Sequence, residues 1–530
     1  MAGSVPVAKA LADIYPPTAL PTQLPRWNDL LQGFEKKYGY RASNVARSPG
    51  RVNIIGEHID YSLYAVLPMA ITADCLLAFS AKPSSSPESF RIRIANVDDA
   101  KFPAREFTLP ADGGFEIDAT VFEWSNYFKS GLRGALELLR KKRGTDVKLH
   151  DIDLLMDGTV PIGGGLSSSA AFVTSSALTV LLANGEESVD KKELTELAIV
   201  SERAVGVNSG GTDSPRSMDQ SASVLSEQGA ALLVSFSPSL EAKPIKFPPT
   251  HPELCFLVAQ SFVTSNKQVT GPVNYNLRVV EVSIAAAYLN AVLNPPGTPL
   301  PEDAGPLGIS LHGFHDNYFY HQTASDLSAP KSISKEEELN KLIAMVKETL
   351  TQEEGYTREE VAKVLGISVA DLEKRFMSKL PVRAERFKLR QRALHVFSEA
   401  LRVLQFLAVL DRSVEPGATD TTAFNQELGR LMNESQDSSR VLYENSCAEL
   451  DQICEIGRGA GAYASRLTGA GWGGCTVHLV PADRVASVEE ALEREYYSKR
   501  EMSDEQKEQA VVVSRPGHGS AVYVVQDKVL

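Results

Sequence analysis

The chain has 530 residues, too many for one compact core, so two large domains or two lobes with insertions are expected. Its apolar content of 43% and charged content of 23% are typical of a water-soluble globular protein. The formal net charge of -13 argues against nucleic acid or an anionic membrane as the main partner. Any polyanionic ligand must therefore be held by a local site.

Cysteine usage and the N-terminal segment indicate the compartment. The cysteines are Cys75, Cys255, Cys447, Cys454 and Cys475, and none has a Cys-x-x-Cys partner. Such a sparse, odd set predicts reduced thiols, not a disulfide framework or a zinc site. Prolines interrupt the first residues where a signal peptide needs an apolar core, and no window approaches eighteen consecutive apolar residues. We therefore expect a cytoplasmic protein without a membrane partner.

The first half of the chain predicts an N-terminal arm followed by an α+β lobe. Residues 1–25 are rich in Pro and Ala and predict an extended arm. Residues 26–240 predict the N-terminal lobe, because strand-like runs alternate with helical ones. The strand-like runs are Ala65–Ala70, Asp151–Leu155 and Ala231–Phe236, and the helical runs are Trp27–Lys37, Val121–Lys141 and Ser168–Ala183.

The second half, residues 241–530, predicts a C-terminal α+β lobe. A Pro- and Gly-rich stretch at 294–310 predicts a loop, and a helical insertion is expected at about 334–410. The expected regular elements are a strand at Leu254–Ala259, a helix at Asn276–Leu293 and strands at Thr476–Val480 and Ala521–Val525.

Within the helical insertion, Tyr356–Leu372 predicts a helix-turn-helix. Thr357 and Glu360 form a capping box, and Gly366 stands in the turn. A DNA-binding unit needs a basic face, but residues 351–375 carry four basic and six acidic side chains. We therefore expect this unit to pack within the protein and expect no direct contact with nucleic acid.

The segment Ser48–Tyr61 places polar side chains on a run that otherwise predicts a strand. It reads Ser-Pro-Gly-Arg-Val-Asn-Ile-Ile-Gly-Glu-His-Ile-Asp-Tyr. Glu57 and Asp60 offer paired acceptors, and His58 offers an imidazole that donates and accepts, as a polyhydroxylated ligand requires. A solvated strand end is the alternative, but it would not need this density of polar groups.

A glycine loop lies between the predicted strand at Asp151–Leu155 and the predicted helix at Ser168–Ala183. Val160–Ala171 reads Val-Pro-Ile-Gly-Gly-Gly-Leu-Ser-Ser-Ser-Ala-Ala. Glycines and serines at a helix start leave backbone N–H groups free at the positive end of the helix dipole, which favours a phosphate. No Lys follows the glycines, so the loop is not a Walker loop.

Three motifs in order carry a resemblance to a known family. The third motif, Ser465–Thr476, reads Ser-Arg-Leu-Thr-Gly-Ala-Gly-Trp-Gly-Gly-Cys-Thr. With the two motifs above, it resembles the galactokinase family of the GHMP kinase superfamily, and Ser265–Arg278 is similar to fungal galactokinases. The resemblance covers about residue 25 to the C-terminus. It implies a two-lobed α+β GHMP kinase fold with the active site in the cleft, and transfer of the γ-phosphoryl group of MgATP to the anomeric hydroxyl of D-galactose.

The resemblance also implies roles for individual residues. The catalytic residues would be Asp219, in Met-Asp-Gln, and Arg51. The sugar would be bound by Arg51, Glu57, His58, Asp60, Asp219 and Tyr275. ATP would be bound by Gly163, Gly164, Gly165, Leu166, Ser167, Ser168, Ser169, Ala170, Asn266 and Lys267. Mg²⁺ would be held by Glu202 and one of the three serines, taken as Ser168. Without the resemblance, Glu202 is an ordinary exposed helix carboxylate.

One segment departs from the family pattern beside the expected catalytic carboxylate. Similar proteins run from Val-Gly-Val-Asn-Ser-Gly-Gly directly into Met-Asp-Gln, whereas here Thr212–Ser217 intervenes. Six extra residues either bulge outward or displace Asp219 by more than catalysis tolerates. Asp213, which follows the glycines directly, is the alternative catalytic carboxylate.

Two alternative functions remain open on sequence. Ile59 and the long helical insertion also occur in N-acetylgalactosamine kinases. Fungal relatives also include a galactose sensor that binds ATP and sugar and acts by sequestering a transcriptional repressor. The known non-catalytic version lacks part of the serine loop, which is intact here at Ser167–Ala171. The sequence therefore favours a catalyst with ATP and galactose as small-molecule substrates, and keeps a repressor as an alternative partner.

Overall fold

The structure, a computed structural model, describes residues 3–112, 114–118, 121, 123–144, 147–202, 218–264, 270–325, 333–412 and 419–526. In the first half the elements are β1 (Val7–Ala8), α1 (Leu20–Tyr38), β2 (Asn44–Ile55), β3 (Leu67–Pro83), β4 (Ser89–Asn96), β5 (Arg105–Pro110), α2 (Ser125–Arg143), β6 (His150–Gly158), α3 (Ser168–Ala183), α4 (Lys191–Glu202), α5 (Met218–Leu225), β7 (Ala230–Ser235) and β8 (Glu241–Lys246).

The second half contributes most of the helices. Its elements are β9 (Leu254–Gln260), α6 (Tyr275–Leu293), α7 (Leu311–Ser325), α8 (Lys335–Thr349), α9 (Arg358–Leu365), α10 (Val369–Phe376), α11 (Leu389–Asp411), α12 (Thr422–Ser438), α13 (Ala448–Gly459), β10 (Ala464–Thr468), β11 (Cys475–Pro481), α14 (Val485–Glu495), α15 (Asp504–Gln509), β12 (Val511–Ser514) and β13 (Ala521–Val524).

Two sheets form the frame of the molecule. A mixed seven-stranded sheet has the order β1-β13-β2-β3-β6-β4-β5, in which β1 is parallel to β13 and β4 is parallel to β6. An antiparallel four-stranded sheet has the order β10-β11-β9-β12, and β7 pairs with β8 in a separate hairpin. The expected α+β class is confirmed, with one large sheet in each lobe.

Helices cover both faces of the seven-stranded sheet. Adjacent residues of one strand point to opposite faces, and Leu76 and Leu77 accordingly belong to different hydrophobic cores. The core containing Leu76 is closed by α1, whose Trp27 and Phe34 are fully buried. The opposite core contains α3, which is apolar on nearly all sides and packs between α2, α4 and the sheet. Burial of α3 places its N-terminus at the cleft described below.

The expected extended arm over residues 1–25 is wrong. Val7 and Ala8 pair with β13, a 3-10 turn follows at Leu11–Asp13, and α1 already begins at Leu20. Tyr15 is fully buried and donates its hydroxyl proton to Asp74 at 2.6 Å. The proline signal was misleading because α1 accommodates two prolines: Pro21 lies in the first turn, where a missing N–H removes no helical hydrogen bond, and Pro25 lies inside the helix.

The expected lobe boundary at residues 240 and 241 also needs correction. The strand β8 begins at Glu241 and pairs with β7, so the chain leaves the N-terminal lobe only after Lys246. At the other end, β13 returns to the seven-stranded sheet between β1 and β2. The second lobe therefore ends before β13, because this last strand belongs to the sheet of the N-terminal lobe.

The helix-turn-helix at 356–372 packs within the protein, as expected. The hydroxyl oxygen of Thr357 accepts from the N–H of Glu360, and Gly366 ends α9 with a φ of 66°. The buried faces of α9 and α10 pack against α6.

Two helices, α6 and α11, are long and apolar enough to cross a membrane by length and composition alone. Most of each helix is buried inside the protein, which is typical of core helices.

Candidate active site

A cleft of about 1480 Å³ opens where the three sequence motifs meet. The first motif forms the second half of β2 and the turn after it, the glycine–serine loop precedes α3, and the third motif connects β10 to β11. The expected site residues that line the cleft are Arg51, Glu57, His58, Asp60, Gly163, Gly164, Gly165, Leu166, Ser167, Ser168, Ser169, Glu202, Asp219 and Tyr275. Segments that are far apart in the chain therefore contribute to one site.

Arg51 joins two parts of the cleft. Its Nε and Nη2 atoms donate to Oδ1 of Asp219 at 2.8 and 2.7 Å. Its Nη1 atom donates to the carbonyl of Gly165 at 2.6 Å, and its backbone N–H donates to the carbonyl of Leu166 at 3.0 Å. Because Arg51 is buried on β2, it fixes the distance between Asp219 and the glycine–serine loop.

Glu57 and Asp60 are carboxyl groups in a poorly solvated part of the cleft. Glu57 accepts from the Arg466 guanidinium at 3.1 Å and from the Gly469 N–H at 3.0 Å. Burial raises the pKa of Glu57 to about 7, although the positive charges of Arg466 and Arg51 act to lower it. Burial, and then the charge of Asp219, raises the pKa of Asp60 to about 6. Both groups therefore titrate near neutral pH.

His58 uses both ring nitrogens within the protein. Nε2 lies 2.9 Å from the carbonyl oxygen of Ala470, and Nδ1 lies 2.9 Å from the hydroxyl of Tyr61. A carbonyl can only accept, so Nε2 carries the hydrogen and Nδ1 accepts from Tyr61. Burial lowers the pKa of His58 to about 3, which keeps the ring neutral. The imidazole expected to donate to and accept from a ligand is instead occupied in joining the first motif to the third.

The glycine–serine loop packs backbone to backbone against the third motif. A Cβ atom on Gly469 would lie 2.5 Å from the carbonyl oxygen of Gly165, and one on Gly474 would lie 2.9 Å from that of Gly164. Both contacts are too close for any side chain, so glycine is required. The third motif thereby closes the back of the loop.

The loop ends in an unusual helix start. Ser167 has a φ of 60° and precedes α3, and its buried hydroxyl has no hydrogen-bond partner among the described residues. The side chains of Ser168 and Ser169 line the cleft. Ala170, expected at the nucleotide, is fully buried in α3 and does not line the cleft. The side chain of Ala170 therefore packs inside the protein, and the polar side chains of this loop are those of the serines.

Glu202 is the last residue of α4 and is only 8% exposed. It accepts from the side-chain amide of Gln220 on α5 and lines the same cleft as Ser168. The alternative interpretation of Glu202 as an ordinary exposed helix carboxylate is therefore wrong.

Tyr275, the first residue of α6, lines the cleft with its ring beside those of His58 and Tyr61. Its ring centre is 5.5 Å from that of His58 and 5.7 Å from that of Tyr61. The expected nucleotide contacts Asn266 and Lys267 lie outside the described residues, as do Asp213 and the Thr212–Ser217 segment.

Sequence reasoning missed an aromatic wall of the cleft. Trp124 and Phe172 stack with an interplanar angle of 13° and a centre distance of 6.1 Å, and Tyr127 and Phe102 adjoin them. These residues come from the start of α2, from α3 and from the segment before β5, and they form no motif. The only signal was the i, i+3 spacing of Trp124 and Tyr127 at the start of α2.

Comparisons with known proteins agree with this geometry. Three family models match: the galactokinase galactose-binding signature at residues 32–81, the GHMP kinase N-terminal domain at 126–225 and the GHMP kinase C-terminal domain at 422–499. The galactokinase of Candida parapsilosis is 42% identical over 94% of both chains. The galactokinase of Saccharomyces cerevisiae is 41% identical over 93% of this chain and 94% of that one.

A solved structure supports the fold. Lactococcus lactis galactokinase complexed with galactose matches 94% of this chain and 99% of that one, with a TM-score of 0.59 and 22% identity. The matched domains and the near-complete coverage of relatives at about 40% identity show that the chain belongs to the galactokinase family of the GHMP kinase superfamily.

Proposed function

We propose that this protein transfers the γ-phosphoryl group of ATP to the anomeric hydroxyl of D-galactose, giving α-D-galactose 1-phosphate. The observation that carries the proposal is the bridge made by Arg51, which binds Asp219 on one side and the carbonyl of Gly165 on the other. A phosphate at the glycine–serine loop and a hydroxyl at Asp219 are thereby held next to one cation. The names of the similar proteins, all galactokinases, support galactose as the acceptor.

Catalysis in this arrangement rests on position and charge. Asp219 orients the attacking hydroxyl and accepts its proton late in the reaction. Arg51 stabilises charge on the transferring group, while the N-terminus of α3 and the backbone N–H groups of the loop hold the phosphates. No covalent intermediate with the protein is needed.

The sugar lies against the first motif and Tyr275. Asp60 and Glu57 accept hydrogen bonds from sugar hydroxyls when they are ionised. The ring of Tyr275 lies beside those of His58 and Tyr61 and extends the surface that the sugar contacts. His58 acts mainly by fixing the third motif through Ala470, since its ring nitrogens are already bonded.

In the part of the cleft that binds the nucleotide, we propose a cation and two further residues, Asn266 and Lys267. Ser168 and Glu202 fit a Mg²⁺ ion, because Mg²⁺ takes few protein oxygens and shares its coordination with ATP phosphates. The buried Ser167 hydroxyl, which has no hydrogen-bond partner in the part of the chain that the structure describes, is a further oxygen ligand at this point. When bound, Mg²⁺ neutralises charge on the β- and γ-phosphates. We place Asn266 and Lys267 at the nucleotide on the family resemblance.

We place the protein in the cytoplasm, with ATP and galactose as its small-molecule substrates. All five cysteines are free thiols, as a reducing compartment requires. Direct binding to nucleic acid is not proposed, since the helix-turn-helix is used in packing.

The first experiment is a coupled ADP-release assay with MgATP that compares galactose with N-acetylgalactosamine. It uses the full chain and a variant that lacks residues 212–217. Turnover with preference for galactose in the full chain supports the proposal. Turnover only after the deletion would mean that the extra residues misplace Asp219. Binding of ATP and galactose without turnover in either protein would favour the sensor function.

A further inference from the structure

One face of α11 lies directly behind the residues that are proposed to bind the sugar. His395, Glu399 and Val403 are spaced four residues apart and therefore share this face. All three are buried, and the first two are fully so. Their contacts lie in the turn formed by residues 56–58, here called the carboxylate turn because it contains Glu57.

Glu399 holds the N-terminal side of the carboxylate turn. Its Oε1 atom accepts from the backbone N–H groups of Gly56 at 2.9 Å and Glu57 at 3.3 Å, and from the Ser435 hydroxyl at 2.5 Å. Its Oε2 atom accepts from Nε of Arg402 at 2.9 Å. Every partner is a donor, so only a group that accepts on both oxygens satisfies all of them.

His395 holds the other polar group of the same residue. Its Nε2 atom donates to the carbonyl oxygen of Glu57 at 3.0 Å, and its Nδ1 atom accepts from the Ser438 hydroxyl at 2.9 Å. The backbone N–H and C=O of Glu57 are therefore both bound by α11. The carboxylate of Glu57 is left to face Arg466, Gly469 and the cleft.

His395 also reaches His58 through a row of rings. Its ring lies 4.2 Å from that of Tyr443, whose hydroxyl is hydrogen-bonded to Tyr61. Tyr61 in turn donates to His58. The side chain of His58 is thus supported from α11 as well as from the third motif.

The carboxylate turn has a backbone that needs such support. Gly56 has a φ of 102° and His58 has a φ of 61°, a region that residues with a Cβ rarely occupy. A Cβ on Gly56 would lie 3.2 Å from Cγ2 of Val403, so α11 also sets the space available at this position.

We propose that His395 and Glu399 are positioning residues that hold the carboxylate turn in its sugar-binding conformation. They touch neither the cleft nor the reacting atoms and act through the backbone of Glu57. The proposal rests on the proposed function, in which Glu57 binds the sugar. It gives the helical insertion a role in sugar affinity that no motif indicates.

The test compares two buried carboxylates that differ in what they hold. Glu399→Gln replaces one of the two acceptor oxygens with an NH2 donor, so the N–H groups of the carboxylate turn and Arg402 compete for the one oxygen that remains. Glu281→Gln is the matched control, because Glu281 is also buried, accepts from the Lys388 N–H at 2.8 Å and pairs with Arg392 of α11 at 2.6 Å. Glu399→Gln is expected to raise the KM for galactose at least tenfold with the KM for ATP within twofold. Glu281→Gln is expected to change neither constant more than twofold.

A pair of substitutions at His395 separates positioning from general loss of packing. His395→Gln keeps an N–H donor for the Glu57 carbonyl, whereas His395→Leu removes it. Sugar affinity is expected to fall at least tenfold in His395→Leu and to be largely restored in His395→Gln. Equal loss in both variants, or equal loss in Glu281→Gln and Glu399→Gln, would overturn the proposal.

Hydrogen exchange provides a readout that does not depend on the sugar. The amides of Gly56 and Glu57 are expected to exchange at least tenfold faster in Glu399→Gln than in the unsubstituted protein and in Glu281→Gln. Unchanged exchange at these amides would overturn the positioning role whatever the activity. Faster exchange in a protein that never phosphorylates galactose would support the positioning role and reject the proposed function instead.

Discussion

The charges in the cleft are arranged so that each carboxyl group has a different environment. Asp219 faces the Arg51 guanidinium, Glu57 faces Arg466, and Asp60 accepts from backbone N–H groups and is subject to the opposing charges of Asp219 and Arg51. Their different neighbours thus distinguish Asp219, which is proposed to accept a proton, from Glu57 and Asp60, which are proposed to bind sugar hydroxyls.

Asp219→Asn is expected to lower kcat for galactose about 10²- to 10³-fold, because it removes the proton acceptor while it keeps the volume and a hydrogen bond to Arg51. The KM values should change little, since the lost interaction belongs to the transition state. Steady-state ADP release measures both constants. The control is Asp213→Asn: a large loss there with less than tenfold loss in Asp219→Asn would transfer the role to Asp213.

Asp60 is expected to steepen the acidic limb of kcat/KM for galactose. Its pKa is raised to about 6 by burial and by Asp219, so below pH 6 it is protonated and loses acceptor capacity. The rate constant should fall about tenfold per pH unit below about 7, where Glu57 is protonated, and more steeply below about 6, where Asp60 is protonated as well. The profile from pH 5 to 8 in Asp60→Asn should lack the steeper part and keep the part that belongs to Glu57.

The same pKa predicts an effect on stability. Because the folded-state pKa of Asp60 is raised, its favourable contribution is present at low pH and is lost as the pH rises through about 6. Asp60→Asn should therefore raise Tm more at pH 8 than at pH 5. The opposite order would show that Asp60 is stabilised as an ion.

At the residue scale, the residues that the motifs indicated lie together, and their roles stay predictions. Arg51, Glu202 and Asp219 lie together in one cleft as the family pattern implies. The sequence did not indicate that His58 has no free ring nitrogen, because its partners Tyr61 and Ala470 belong to different motifs. His395 and Glu399 were not predicted either, since they contact backbone atoms, which leave no pattern in the sequence.

At the scale of elements, two glycine-rich loops form one unit. The loop before α3 and the turn between β10 and β11 touch through their backbones. Because the two loops are far apart in the chain, each loop reaches this conformation only when the folded protein brings them together. The ends of β10, β11 and α3 therefore set the position of the phosphate loop.

Gly469→Ala is expected to raise the KM for ATP at least tenfold and to lower Tm, because its Cβ would meet the Gly165 carbonyl at 2.5 Å. The matched control is Gly39→Ala at the end of α1. Gly39 has a φ of 84°, against 83° for Gly469, but nothing lies within 4 Å of its Cβ. Gly39→Ala should lower the free energy of unfolding by about 1 kcal/mol through backbone strain alone and should leave the kinetic constants unchanged. Equal kinetics in the two variants would contradict the backbone contact.

Element prediction succeeded where both ends of an element carry a signal. The bounds of α3 match the prediction at Ser168–Ala183, because serines start it and Asn184 and Gly185 follow it. The start of α1 at Leu20 was not predicted, because the prolines near it indicated an extended segment. The partner of β13 was beyond prediction, since the strand pairs with residues at the opposite end of the chain and pairing of this kind has no local signature.

At the scale of the whole molecule, the chain closes on itself. The strand β13 lies between β1 and β2, and Ala521, Val522 and Tyr523 are buried there. Arg47 donates to the carbonyls of His518 and Gly519 just before this strand. The first lobe therefore depends on the last residues of the second half.

A chain that ends at Ser520 is expected to lose cooperative unfolding and to accumulate in insoluble form, because β1 loses its partner and β2 loses one of its two neighbours. A chain that ends at Gln526 is the control, since it keeps all of β13. Circular dichroism melting and the soluble fraction measure the difference. A soluble, cooperatively melting chain that ends at Ser520 would show that the first lobe is complete without β13.

The returning strand also has a consequence for biosynthesis. A ribosome releases the N-terminus first, and domains generally fold as they emerge. Here Val7 of β1 pairs with Val522 of β13, so β1 has no strand partner until the last residues have been synthesised. Until then β2 presents an open edge, which is a template for pairing with other nascent chains. The time that translation takes over the second lobe is therefore the time for which the first lobe stays unfinished and prone to aggregate.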